Sequence, residues 1–260
     1  MYIYVRFTEK EQYYKTGPDG LVKARLEQAS GERCLVVPYQ EMSMRVVREL
    51  SPAAIAMSGF GGHFHTRKRE WFFGVNDVLH EAAVPMICFC GSHQLMALCF
   101  QRDIRKGPAL RVRPMRRLRA GEHWPRRPCT DPAYDLSAHF VAEGFFPIRR
   151  LAADPLFAGL PRTMVLRCWH YCEVKALPKG FDLLASSDHC RIEAMRHRTR
   201  PLYGTQFHPE MYEAPFFHGR RILENFARIV RRFWKDTPPG PHPGADKSGS
   251  SQHVDRRPKR

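Results

Sequence analysis

The chain has 260 residues, 43% of them hydrophobic and 12% aromatic, enough to bury a sizeable core as one large domain. No stretch approaches the roughly 18 uninterrupted apolar residues of a membrane helix, and the N-terminal MYIYVRFTEKEQ lacks a basic-then-apolar signal pattern, so a cytoplasmic protein without membrane contact is expected. Eight cysteines are scattered, mostly within apolar runs such as MICFC and ALCF, which points to reduced thiols rather than a disulfide framework, and the net charge is +16.

In chain order, a helical stretch near Leu21 to Ala29 precedes the apolar run Cys34 to Pro38, and an amphipathic stretch from Met42 to Leu50 precedes Ala53 to Met57. A helix over Trp71 to Ala82 leads to Met86 to Phe89, followed by a helix-compatible run from His93 to Phe100. Short apolar runs alternating with helices read as parallel strands buried on both faces, hence an α/β sheet. Roughly 104 to 150 holds extended pieces, Leu110 to Pro114 and Gly144 to Ile148, between Pro and Gly breaks, and reads as a β-rich insertion over the sheet after the nucleophile helix. Met164 to Trp169, Asp182 to Ala185, Arg191 to Met195 and Leu202 to Phe207 read as strands, and Phe217 to Phe233 as a closing helix. One domain over 1–235 is expected, with a disordered Pro-, Gly- and Ser-rich tail over 236–260.

The charge is unevenly placed. Between Arg102 and Arg127, ten basic residues stand against Asp103 and Glu122, so half of the net charge lies in one segment. Such a patch attracts an acidic partner, a phosphorylated acceptor or nucleic acid, or serves as a solvated face. Beyond Trp124 it has no interleaved aromatic residues for base stacking, so nucleic acid is not the expected partner.

Chemistry concentrates at two places. In Pro85-Met-Ile-Cys-Phe-Cys-Gly-Ser-His-Gln94 an apolar strand runs directly into a helix start, with Cys90 at the junction and small Cys88 and Ser92 two residues to either side. A tight strand-to-helix turn of this kind holds its central side chain outward, and a helix N-terminus stabilises a thiolate. Downstream, Tyr203-Gly-Thr-Gln-Phe-His-Pro-Glu210 supplies an imidazole at His208 and a carboxylate at Glu210 that can orient it. A strand opening into the glycine-rich loop Met57-Ser-Gly-Phe-Gly-Gly62 offers backbone N–H groups from Gly59, Phe60 and Gly61, beside that of Gly91, for a developing oxyanion.

PMICFCGSHQLMA resembles the nucleophile elbow of class I glutamine amidotransferases, and GTQFHPE is similar to their His-x-Glu strand; HYCEVKALPKGFDLLASS and DPLFAGLP resemble family segments between the two. The resemblance spans roughly 30 to 235. It implies a flavodoxin-like open, mostly parallel sheet with helices on both faces, Cys90 as nucleophile, His208 as general base and acid, Glu210 as orienting carboxylate and Gln94 as a contact to the glutamine substrate, with no cofactor and no metal. It also implies a γ-glutamyl thioester, released ammonia, and a separate synthase subunit to use that ammonia. The chain departs from the pattern where Cys88 and Ser92 replace elbow glycines, where Phe60-Gly61 replaces the common Gly-Pro, and where Trp169 and Cys172 flank His170 in place of Ser and Asp.

Two other functions remain open to the sequence. One is a stand-alone γ-glutamyl peptidase or hydrolase with the same triad. The other is a catalytically silent protein that binds through its basic segment, which an intact Cys, His and Glu argue against. Metal binding by His63 with His65, or by Cys168 with Cys172, lacks further ligands nearby in sequence, and His93 beside the elbow reads as a packing residue.

Overall fold

The computed structural model describes residues 1–16, 20–122, 130–131, 134–135 and 138–237. The first half alternates strands β1 (Tyr2–Phe7), β2 (Cys34–Pro38), β3 (Ala54–Phe60) and β4 (Met86–Phe89) with helices α1 (Lys10–Thr16), α2 (Gly20–Ser30), α3 (Met44–Leu50), α4 (Phe73–Glu81) and α5 (Gly91–Gln101). The second half adds β5 (Ala142–Arg150), β6 (Thr163–His170), β7 (Phe181–Ser186), β8 (Ala194–His197), β9 (Leu202–Thr205) and the closing helix α6 (His218–Asp236). All nine strands join one sheet in the order β2-β1-β3-β4-β9-β8-β7-β5-β6. The first five are mutually parallel, with Tyr4 opposite both Val36 and Ala56, and Ile87 opposite Tyr203. The remaining pairs are antiparallel.

Strand alternation divides the apolar residues between two cores. Tyr2 and Tyr4 of β1 pack with Val22 and Leu26 of α2 and Phe226 of α6 on one face, while Ile3, Val5 and Phe7 pack with Val75 and Val78 of α4 and Leu95 of α5 on the other. This is why the parallel strands read as continuous apolar runs: both faces are covered. Among the described residues, no helix is long and apolar enough to cross a membrane.

Several local expectations change. The opening YIYVRF, passed over as the chain's start, is an interior strand between β2 and β3, with all but Arg6 buried. The piece expected at Gly144 to Ile148 belongs to the main sheet: its strand pairs with β6 from Ala142 opposite His170 to Arg149 opposite Thr163. Of Leu110 to Pro114, only Arg113–Pro114 is extended, against Cys172–Glu173. The strand expected from Arg191 begins at Ala194, because Ser187 and Cys190 close a turn in which Ser187 N donates to Cys190 O at 2.8 Å. In the basic segment, Arg105 pairs with Asp77 at 2.6 Å and Arg116 with Glu122 at 2.6 Å; Trp124, Arg126, Arg127 and the tail from 238 onward lie outside the described residues.

The parallel half positions the site. β3, β4 and β9 end side by side, and in open α/β sheets such carboxyl ends are where ligands bind. α6 then packs its first turn onto the segment that follows β9: a methyl added at Gly219 would meet Pro209 O at 2.3 Å. Gly219→Ala is therefore expected to cost about 1–3 kcal/mol in a denaturant titration, since backbone must move. Gly20→Ala, whose methyl would meet nothing within 4 Å, should leave the midpoint essentially in place.

Candidate active site

Cys90 stands between β4 and α5 with φ 46° and ψ −102°, a conformation L-residues rarely adopt and one that costs on the order of 1–3 kcal/mol. Two backbone bonds hold it: Cys90 N donates to Thr205 O at 2.7 Å, and Gln94 N donates to Cys90 O at 3.0 Å. The small flanking residues are fully buried. Ser92, in place of an elbow glycine, is accommodated because its hydroxyl reaches Met57 O at 2.8 Å and Phe89 O at 3.0 Å. Gly91 has no room for a side chain, since a Cβ there would lie 2.4 Å from both the N and the Cβ of Phe60. The backbone of Phe60 thus lies alongside Gly91 next to the sulfur, where a carbonyl oxygen of a bound acyl group would become negative. Gly59 lies against Cys90 and His208, whereas Gly61 borders open space.

His208 follows β9, anchored by its N–H donating to Arg167 O at 2.8 Å. Its Nδ1 lies 2.7 Å from Glu210 Oε1, and a carboxylate acceptor requires that Nδ1 carry the hydrogen. Nε2 is then directed toward Cys90: a Cβ at Gly59 would lie 3.7 Å from His208 Nε2 and 3.6 Å from Cys90 Cβ. The His208 and Glu210 side chains are 12% and 3% exposed. Burial alone would favour a neutral imidazole, but the Glu210 carboxylate and the charge and hydrogen bond of Cys90 outweigh it and raise the His208 pKa well above its ordinary 6.5.

Gln94 is buried and donates through Nε2 to Cys172 O at 2.8 Å and to Gln206 Oε1 at 3.1 Å. Gln206, not singled out in the sequence, in turn directs its Nε2 at Cys90 Sγ, 3.5 Å away. Its signal was present in Gly-Thr-Gln-Phe-His-Pro-Glu: residues two apart on an extended segment share a face, so Gln206 and His208 both meet the sulfur. Trp169 adds its carbonyl, 3.6 Å from Cys90 Sγ. Cys90 lines both a small pocket with Gln94, His63, His65 and Tyr171 and a cleft of about 540 Å³ bordered by Arg6, Arg167, Trp169, His208 and Glu210. His63 and His65 stand with ring centroids 5.3 Å apart at this mouth. His93 is wholly buried against Gly204, with its pKa pulled down to about 3 by burial, and lines neither space. His170 is also buried, with Nδ1 3.2 Å from Cys172 O.

A thiol at a strained elbow, an imidazole within its reach, a carboxylate behind the imidazole and adjacent backbone N–H groups form a constellation for acyl transfer through a covalent intermediate. The family model "Glutamine amidotransferase class-I" matches residues 22–230. The chain is 36% identical over 154 residues, 59% of its own length, to the glutamine-hydrolysing subunit of GMP synthase from Archaeoglobus fulgidus, and spans 66% of that relative, just under two thirds. It is 32% identical over 185 residues to the corresponding subunit from Pyrococcus abyssi, covering 70% of this chain and 78% of the relative. The crystal structure of a candidate GMP synthase subunit from Thermoplasma acidophilum shares the fold with a TM-score of 0.65 at 22% identity, over 90% of this chain and 96% of that one.

The charge of Glu210 favours the protonated form of His208, so Glu210→Gln is expected to lower the His208 pKa, read by NMR titration of the ring. Because the folded pKa is raised, the stability His208 contributes is fully present below its ordinary 6.5 and is lost as pH climbs through the raised folded value. In Glu210→Gln that loss should begin at lower pH. An unmoved His208 midpoint would contradict the assigned contact.

Proposed function

We propose, for a chain that belongs to the class-I glutamine amidotransferase family, that Cys90 hydrolyses the side-chain amide of glutamine and that the ammonia passes to an acceptor bound by a separate synthase subunit. The observation that carries this reading is the convergence of Cys90, His208 and Glu210 at one end of a substrate-sized cleft, with His208 held at 2.7 Å by Glu210.

In this mechanism the Cys90 thiolate attacks the amide carbon, and the carbonyl oxygen takes up negative charge beside the N–H groups of Gly91 and Phe60. His208, protonated through its pairing with Glu210 and Cys90, delivers its proton to the departing nitrogen, and ammonia leaves a γ-glutamyl thioester. His208, now neutral, takes a proton from water as that water attacks the thioester; glutamate departs and the thiolate is restored. Gln206 and the Trp169 carbonyl position the sulfur between attacks. Gln94, which shares the small pocket with Cys90, contacts the glutamine. Its relatives among glutamine-hydrolysing GMP synthase subunits support a division of labour in which a partner chain uses the ammonia.

Ammonia and glutamate release from glutamine tests this. Cys90→Ala is expected to lower turnover by roughly 10³-fold or more, and activity surviving that change would sink the mechanism. Turnover of γ-glutamyl dipeptides in preference to glutamine would instead favour a stand-alone hydrolase.

A further inference from the structure

Behind the cleft, a second set of reactive side chains converges. Cys168 and His170, two apart on β6, project from one face of the strand. The segment between β7 and β8 brings His189 and Glu193 to them, and one donor atom from each of the four lies within 4.8 Å of the others. Cys168 and Glu193 are fully buried, His170 is 3% exposed and His189 9%. Buried polar atoms ordinarily have partners. Here His170 Nε2 and Glu193 Oε2 have none, and His189 Nε2 stands 3.3 Å from Glu193 Oε1 without an aligned hydrogen bond. The opposite atoms are in use: His170 Nδ1 faces Cys172 O at 3.2 Å, and Ser187 Oγ donates to Glu193 Oε1 at 2.7 Å.

We propose that Cys168, His170, His189 and Glu193 bind a structural zinc ion, at a site distinct from the acyl-transfer constellation. One thiolate, two imidazoles and one carboxylate are a donor set suited to tetrahedral Zn²⁺. Bond lengths of about 2.0–2.3 Å place ligand atoms roughly 3.3–3.8 Å apart, so the observed cluster closes on an ion by side-chain movements of about 1 Å or less. The His170 ring is already oriented as metal-bound histidines are, with its distal nitrogen on a backbone carbonyl. Thiolate and carboxylate together cancel the charge of a divalent ion, which makes full burial of the site sustainable. Phe140 and Phe146 flank the His189 ring, with centroids 5.4 Å and 4.8 Å away, and supply an apolar shell.

Burial and the Glu193 charge keep the Cys168 thiol protonated when no ion is bound. On binding, the S–H bond breaks, the sulfur pair forms the Zn–S bond and the proton leaves to solvent; no redox step is involved. Burial also keeps His170 neutral, pulling its pKa to about 3, which is the form that can donate to a metal. The ion would lock two neighbours of Cys90. Trp169 lies between the two β6 ligands, and Gln206, whose N–H donates to Glu193 O at 2.7 Å, contacts the Cys90 sulfur. The assignment does not depend on glutamine being the substrate.

Metal analysis of the full chain, with Co²⁺ titration of the metal-stripped protein, tests the site. About one equivalent of Zn²⁺ is expected to copurify, and Co²⁺ should give a tetrahedral spectrum with a thiolate charge-transfer band. Cys168→Ser should abolish that band, and His189→Ala should weaken binding by tenfold or more, whereas Cys172→Ser and Cys90→Ala should retain both. If Cys168→Ser does not fold, the wild-type cobalt spectrum decides alone. A folded wild-type chain that takes up neither metal, or a cobalt spectrum lacking a thiolate band, overturns the proposal and leaves a buried His189–Glu193 contact.

Discussion

At the junction of β4 and α5 the backbone of Cys90 is held at positive φ, and that one strained residue sets the demands on everything around it. A side chain at this turn stands clear of both elements only if its neighbours come close, so Gly91 must admit the backbone of Phe60 and Gly59 must lie flat against His208. Gly204, on the adjoining strand, likewise has no space for a methyl beside Met96 and His93. The cost of the strained conformation, on the order of 1–3 kcal/mol, is offset by a parallel sheet with both faces buried, which fixes Thr205 O where Cys90 N needs an acceptor.

Electrostatics follows from the same placement. A carboxylate as buried as Glu210 requires a compensating positive charge, and the His208 imidazolium supplies it. That arrangement gives one cysteine a charged partner while the others have none. Burial pushes the thiol of Cys34 up to about 11 and that of Cys88 up to about 12, and Cys99, Cys168 and Cys190 are raised as well. Selectivity for Cys90 therefore arises from a partner at hand, and from the inertness of the apolar runs in which the other thiols sit.

What was legible in the sequence was what local pattern encodes. The strand-to-helix switch around Cys90 and the i, i+2 spacing of His208 and Glu210 are short-range features, and chain-order alternation of strands and helices announced the parallel half of the sheet. Tyr2–Phe7 escaped notice because its first residues have no preceding element to punctuate them, although its aromatic and β-branched residues suit an interior strand. The antiparallel half was harder to place: whether Ala142–Arg150 covers the sheet or extends it depends on a partner strand thirteen or more residues further on, and periodicity does not carry that information. The same limit applies to Cys168. In sequence its nearest possible companion was Cys172, yet the side chains that meet it, His189 and Glu193, arrive from across the sheet.

The account rests on Cys90 being the thiol that the fold activates. Its most direct test is covalent labelling with an electrophilic glutamine analogue, followed by intact-mass measurement and peptide mapping of all eight cysteines. The expected result is a single adduct on Cys90, formed at a rate that glutamine suppresses and that falls in His208→Ala. Labelling of a different cysteine, or a Cys90 adduct whose formation ignores both glutamine and His208, would contradict it.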